Sequence, residues 1–119
     1  MAVRTAAVTE GLNGEGNVTR VVWTGLTQAS SDTGSGVLVR GADRCVQLSG
    51  TLGTGGEVPI EGSNDGTNFG ALHDLAGNAI VLDAIGQVIQ IAECTTHVKC
   101  GTTDGDGTTS LTVTLISRR

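Results

Sequence analysis

The sequence has almost no aromatic residues and almost no proline. Tyrosine is absent, Trp23 and Phe69 are the only aromatic side chains, and Pro59 is the only proline. A core must therefore be built mainly from Val, Leu, Ile and Ala. No apolar run approaches the roughly 20 residues that a membrane-spanning helix needs, so we expect no membrane association.

Basic residues are also scarce. Lys99 and six arginines stand against 12 acidic residues, which gives a formal net charge of −5. Nucleic-acid binding needs a basic surface, often with stacking aromatic side chains, and the scattered arginines do not predict one. We therefore expect no direct contact with nucleic acid. Moderate negative charge favours solubility at the high local concentration of a multicopy assembly.

What the chain has in excess is glycine, with 19 residues among 119. A hydrophobic fraction of 38% nevertheless predicts a folded chain, and the length suits a single domain. Residues 1–8 contain no continuous apolar segment, so no signal peptide is predicted and folding in a cytoplasm is expected. The three cysteines, an odd number, are then most simply small packing residues with free thiols.

Apolar and polar residues alternate along most of the chain. The clearest example is Leu111, Val113 and Leu115, which share one face of a predicted final strand. About eight such short segments, separated by turn residues, predict an all-β fold of antiparallel strands, a β-sandwich or jelly roll, over residues 18–119. A helix over residues 80–93 competes, but Gly86 and the Val/Ile content disfavour it. Pro59 predicts an edge strand or a bulge, because proline cannot donate to a ladder.

Residues 1–17 differ from the rest, because they are rich in Ala, Thr and Gly and poor in large apolar side chains. They predict an extended N-terminal arm that orders against a partner, with an edge strand over residues 4–9 as the alternative. Trp23 is either a core residue or an interface anchor, since tryptophan is enriched in binding hot spots. The candidate interface residues are Val3, Arg4, Val8, Leu12 and Trp23.

Two groups of residues could hold a metal ion. Cys94, His97 and Cys100 offer soft ligands for zinc, with Cys45 or His73 as a fourth, but no second close ligand pair accompanies them. Residues 64–68 and 104–107 are rich in Asn, Asp and Gly, as calcium loops are, yet neither completes an EF-hand series. Packing thiols and ordinary turns are the favoured interpretations, so no metal or other cofactor is expected.

No residue pattern indicates catalysis. His73 and His97 are the only candidate bases near neutral pH, and neither lies in a recognisable nucleophile motif. The glycine-rich residues 53–56 follow a predicted strand and precede another, so they predict a hairpin loop rather than a phosphate-binding loop. We expect a protein that is not an enzyme.

The most informative motif is GSNDGTNF at residues 62–69. Asn64 and Asp65 are side chains that bond to local backbone, and Gly66 tolerates a positive φ, so the motif predicts a tight turn between two strands. Together with RCVQLSGTL at residues 44–52 and LTVTL at residues 111–115, it resembles small all-β virion proteins that decorate or cement capsids of tailed bacteriophages. Those proteins more often have tryptophan where Phe69 stands, and Tyr-Ile/Val-Arg-Pro where residues 97–100 stand.

The resemblance implies a structural function. It implies a protein on the capsid exterior of a virion assembled in a host cytoplasm, bridging subunits of the major capsid protein as a homo-oligomer, with a trimer favoured. The arm would then order on a neighbouring subunit. A head-fibre, neck or tail component is an alternative. A carbohydrate-binding β-sandwich is another, because similar Ser-x-Asp-Gly-x-x-Trp turns occur there.

Overall fold

The computed structural model describes residues 2–11 and 16–119 and shows an all-β domain, which confirms the predicted fold class. This part of the chain forms twelve strands. In chain order they are β1 (Val3–Arg4), β2 (Ala7–Glu10), β3 (Val18–Thr27), β4 (Thr33–Gly34), β5 (Val37–Leu38), β6 (Asp43–Thr51), β7 (Val58–Ser63), β8 (Gly70–Ala71), β9 (Val81–Leu82), β10 (Val88–Gln90), β11 (His97–Cys100) and β12 (Ser110–Arg118). Within the same residues no helix is long and apolar enough to cross a lipid bilayer.

Two antiparallel sheets make up the sandwich. One has the order β10-β6-β12-β3-β2, and the other has the order β5-β11-β7-β8, with β9 also paired to β7. The only parallel pairing among the described strands joins β1 to β4. The side chains of both sheets that point between the layers form one core, because successive strand residues face opposite sides.

The longest strands form the centre of the first sheet. Strand β12 pairs with β3 on one side and with β6 on the other. As the sequence predicts, Leu111, Val113 and Leu115 are fully buried. Opposite them, the second sheet buries Ile60 and Val98.

The described residues of the predicted arm lie along the domain. Strand β1 runs beside β4, and β2 pairs with β3 as the last strand of its sheet. This placement corresponds to the edge-strand alternative for residues 4–9. That the segment can leave the domain and order on a partner stays a prediction.

Two local predictions are wrong. Strand β7, which contains Pro59, is not an edge strand, because β11 pairs with one side and β8 and β9 pair with the other. None of these pairings has a register shift, so the predicted alternative of a bulge is also wrong. The proline is tolerated because β11 ends at Cys100, which pairs with Ile60, one residue after the proline. Residues 53–56 are not a hairpin loop, since they connect β6 in one sheet to β7 in the other.

Candidate interaction surface and its supporting contacts

Residues 64–69 connect β7 to its antiparallel neighbour β8, so the predicted turn between two strands is confirmed. Ser63 Oγ accepts hydrogen bonds from the N–H groups of Asp65 and Gly66 at 3.1 and 3.0 Å. Asp65 Oδ1 accepts from the N–H groups of Thr67 and Asn68, each at 2.8 Å. The bonds from Asn68, followed by those from Thr67 and Ser63, hold the pKa of Asp65 well below its usual range. The turn is thus closed by its own side chains.

Two hydrogen bonds also connect the turn to Thr96, the residue just before β11. Thr96 Oγ1 donates to the carbonyl of Ser63 at 3.0 Å, and the Thr96 N–H donates to Asn64 Oδ1 at 3.3 Å. Gly66 has a φ of 78°, and a Cβ added there would lie 3.2 Å from the ring of His97. The side chains of Ser63, Asn64 and Asp65 therefore form hydrogen bonds that stabilise the turn itself.

The candidate interface residues of the N-terminal segment do not share one environment. Val3 and Val8 are 60% and 48% exposed, so this segment carries two accessible apolar side chains. Arg4 instead turns toward the domain. Leu12 lies outside the described residues.

Trp23 is not a surface anchor. Its side chain is fully buried, and its indole N–H donates to the carbonyl of Ser35 at 2.9 Å. A Cβ added to Gly34 would lie 2.6 Å from the indole Cδ1, so a glycine is required for the ring to pack this closely. The core interpretation is correct, because the ring fills the space between the sheets and its one polar atom is satisfied.

The N-terminal segment is held to the domain by an ion pair that sequence analysis missed. Arg4 donates from Nε and Nη2 to Asp32 Oδ2 at 3.0 and 2.8 Å. The same oxygen accepts from the N–H and the hydroxyl of Thr27 at 3.0 and 2.8 Å. Burial raises the pKa of Asp32, but the bonds from Thr27 and Arg4 outweigh it and lower the pKa. No spacing in the sequence pairs residues 28 positions apart, so only the fold reveals this contact.

The three residues proposed as zinc ligands are not brought together. His97 and Cys100 lie on β11, where burial alternates, so Cys100 points into the core and His97 points outward. Burial, and then the charge of Glu61, raise the pKa of Cys100 well above its usual value. Cys94 is exposed on the connection before β11, so the expectation of a packing residue is wrong for this cysteine. In the described part of the chain no three His, Cys, Asp or Glu side chains form a group that could hold a metal ion.

In the second acidic loop, residues 104–107, the carboxylate of Asp106 closes the turn. Asp106 Oδ1 accepts from the N–H and hydroxyl of Thr108 at 2.9 and 2.7 Å, and Oδ2 accepts from the Thr54 N–H at 2.9 Å. The bonds from Thr108, followed by those from Thr54, lower the pKa of Asp106. The interpretation as an ordinary turn accounts for these residues.

The other histidine forms a partly exposed pair. His73 Nδ1 lies 2.5 Å from Glu93 Oε2, and the His73 N–H donates to Glu93 Oε1 at 2.7 Å. Burial raises the pKa of Glu93, but the hydrogen bonds from His73 outweigh it and lower the pKa. The pair joins the strand connections on either side of β9 and β10, and residues 2–11 and 16–119 enclose no pocket beside it.

The aromatic residues do not form the platform that a sugar site uses. Trp23 is in the core, and Phe69 is partly buried with Lys99 Nζ 4.7 Å from its ring centroid. This cation–π contact covers one face of the ring. The geometry therefore gives the carbohydrate alternative no support.

Comparison with known proteins does not assign this chain to a family. No protein-family profile matches the chain, and no curated protein is similar to it. A solved structure, "Crystal Structure of FeII HppE", is similar over 93% of this chain at 15% sequence identity, with a TM-score of 0.37. The chain spans 55% of the length of that protein.

Proposed function

We propose that this chain is a structural protein of a tailed-bacteriophage virion, which decorates the capsid exterior and bridges subunits of the major capsid protein. The proposal rests on the sequence resemblance, and one structural observation supports it. The GSNDGTNF motif forms a turn that is closed by its own side chains, and this turn lies on a compact β-sandwich. Such a domain suits a role in which function comes from contact surfaces.

In this proposal each copy stabilises the capsid by adding contact area between subunits of a symmetric shell. Each copy contributes a modest contact, and repetition on a closed lattice makes modest contacts effective. A homo-oligomer, with a trimer favoured, would link several capsid subunits at one point. The N-terminal segment is the proposed contact, because the resemblance implies an arm that orders on a neighbouring subunit and because Val3 and Val8 place apolar side chains in solvent.

The test uses purified capsids that lack this protein. Added protein should co-sediment with the capsids and raise the temperature at which they release DNA. The double variant Val3→Asp/Val8→Asp should fold normally but bind at least about tenfold more weakly, since each change places a charge in an apolar contact. Leu75→Asp is the matched control, because Leu75 is 69% exposed and lies outside this segment.

Two outcomes would count against the proposal. Absence of capsid binding by the unaltered protein would exclude a decorating role. Binding that is weakened equally by Leu75→Asp and by Val3→Asp/Val8→Asp would exclude the N-terminal segment as the specific contact. Electron microscopy of the parent particle distinguishes the capsid from a head fibre, neck or tail.

A further inference from the structure

Three Asp-Gly steps lie in the described part of the chain, at residues 65–66, 104–105 and 106–107. At such a step the glycine nitrogen can attack the side-chain carboxyl carbon of the aspartate, because glycine has no Cβ that shields its nitrogen. The product is a five-membered succinimide ring. The reaction needs a carboxyl group that can be protonated and a glycine nitrogen that no other contact holds. The three steps differ in both respects.

At the first step both reacting groups are held by hydrogen bonds. Asp65 Oδ1 accepts from the N–H groups of Thr67 and Asn68, each at 2.8 Å. The Gly66 N–H donates to Ser63 Oγ at 3.0 Å. Hydrogen bonds to a carboxylate favour its ionised form, which does not release its oxygen as water. The fold therefore protects this step.

At the third step the carboxylate is held through both of its oxygens. Asp106 Oδ1 accepts from the N–H and the hydroxyl of Thr108 at 2.9 and 2.7 Å, and Oδ2 accepts from the Thr54 N–H at 2.9 Å. The Asp106 N–H also donates to Thr109 Oγ1 at 2.9 Å. The hydrogen bonds to the carboxylate therefore protect this step as well.

The middle step, Asp104-Gly105, has neither protection. Asp104 is exposed, and its carboxylate accepts no hydrogen bond and forms no ion pair in the described part of the chain. The Gly105 N–H donates to no acceptor there. A Cβ added to Gly105 would overlap Thr109 Oγ1, so the packing requires the glycine on which the reaction depends.

We propose that Asp104-Gly105 is a modification site, at which the folded protein forms isoaspartate through a succinimide with water as the only co-reactant. The Gly105 nitrogen bonds to Cγ of Asp104 and loses its proton, and a carboxyl oxygen leaves as water. Water then adds to one of the two ring carbonyl carbons and breaks its bond to the nitrogen. Addition at Cγ restores aspartate, and addition at the main-chain carbonyl carbon gives isoaspartate. The site is independent of the proposed capsid role.

Isoaspartate at this position changes a contact between two connections. It lengthens the main chain by one carbon and converts the Asp104 carbonyl, which accepts from the Glu57 N–H at 3.2 Å, into a carboxylate outside the main chain. The preceding Thr103 N–H donates to the carbonyl of Asp32 at 2.9 Å, and Asp32 is the partner of Arg4. The modification therefore alters the backbone beside the residue that holds the N-terminal segment.

The experiment follows the reaction by isotope labelling. The whole protein is incubated at about pH 6 in water enriched in heavy oxygen, and peptide mass spectrometry after digestion in ordinary water locates the label, since each succinimide that reopens gains one heavy oxygen. Labelling at Asp104 should be at least about tenfold faster than at Asp65 and Asp106, where hydrogen bonds to a charged group must first be lost. In synthetic peptides of residues 61–69 and 101–109, which lack the fold, the three rates should be similar.

Two variants test the cause of the difference. Ser63→Ala removes the acceptor of the Gly66 N–H, and it should raise labelling at Asp65 while leaving labelling at Asp104 unchanged. Asp104→Glu is the matched control, because it keeps the charge but its longer side chain would have to close a less favourable six-membered ring. It should abolish labelling at this position. Circular dichroism and melting curves establish which variants fold.

The rates in the unaltered protein decide the proposal even if Ser63→Ala does not fold. Labelling at Asp65 or Asp106 that is as fast as at Asp104 would overturn it. Absence of label at Asp104, under conditions in which the peptide of residues 101–109 reacts, would also overturn it, because the fold would then protect this step too. Label at the Asn13-Gly14 step, which lies outside the described residues, is counted separately.

Discussion

Asp32 is a carboxylate with no exposed side-chain surface, and its ion-pair partner is Arg4, which is 41% exposed on the side chain. Removing Arg4 leaves this charge buried and uncompensated, which costs more than the loss of a surface pair. We expect Arg4→Ala to lower the free energy of unfolding by about 2 kcal/mol, as measured by urea denaturation. Arg20→Ala, at an exposed position, is the control and should change it by less than about 0.5 kcal/mol. Equal losses of unfolding free energy in Arg4→Ala and Arg20→Ala would show that the ion pair does not hold the N-terminal segment to the domain.

Gly34 contacts the indole of Trp23 so closely that a methyl group has no room. A Cβ there would meet the indole Cδ1 at 2.6 Å and the Cβ of Cys100 at 2.9 Å. Gly34→Ala should therefore cost about 1–3 kcal/mol of unfolding free energy through overpacking, and should shift the Trp23 fluorescence to longer wavelength. Gly70→Ala is the matched control, since nothing lies within 4 Å of an added Cβ. A stable Gly34→Ala protein with unchanged fluorescence would contradict the buried position of Trp23.

Strand β2 has one side paired and one side open. The Gly11 N–H donates to the Val18 carbonyl, and Thr9 stands opposite Arg20. Because hydrogen-bonded pairs alternate in an antiparallel ladder, Thr9 bonds to β3 while the backbone groups of Val8 point away from it. A proline would therefore remove a ladder hydrogen bond at Thr9 but none at Val8.

Thr9→Pro should cost about 1 kcal/mol more unfolding free energy than Val8→Pro, because only the first loses a ladder hydrogen bond. Hydrogen exchange gives a second measurement, in which the amide of Thr9 is protected and that of Val8 is not. The prediction is contradicted if the amides of Thr9 and Val8 exchange equally fast and if neither proline changes the free energy of unfolding. Residues 7–10 would then behave as a detached arm.

The whole molecule should lose stability in acid. The pKa values of Asp32, Asp65, Glu93 and Asp106 are all lowered in the folded state. A carboxyl group whose folded pKa is lowered contributes stability above its unfolded pKa of about 4, and this contribution is lost as the pH falls through the folded pKa. The melting temperature should therefore change little from pH 7 to about 5 and should fall steadily below about 4.

Asp65→Asn should make this acid-induced fall shallower, since one of the contributing groups is removed. Asp83→Asn is the control, because no hydrogen bond to the Asp83 carboxylate occurs among the described contacts. Melting curves from pH 2 to 7 give the comparison. An unchanged slope in Asp65→Asn would show that the turn does not stabilise the folded state through its charge.

The candidate contacts could be predicted only in part. Val3 and Val8 are predicted contacts that the structure leaves exposed, and their contact with a partner stays a prediction. Trp23 could not be placed, since a strand with apolar groups on both faces does not show which face meets the second sheet. The burial of Arg44, which is 2% exposed, could not be predicted, because an arginine in a strand is ordinarily expected at the surface.

The sequence by itself determined the class of fold, the face pattern of the final strand and the turn at residues 63–68. Alternation in residues 111–115 and the residues of the turn at 63–68 are local properties, and local geometry follows from local side chains. The tertiary structure alone decided which strands are neighbours, and so placed Pro59 inside a sheet and Arg4 on Asp32. Those contacts join residues far apart in the chain, and they depend on how the two sheets pack to bury one core.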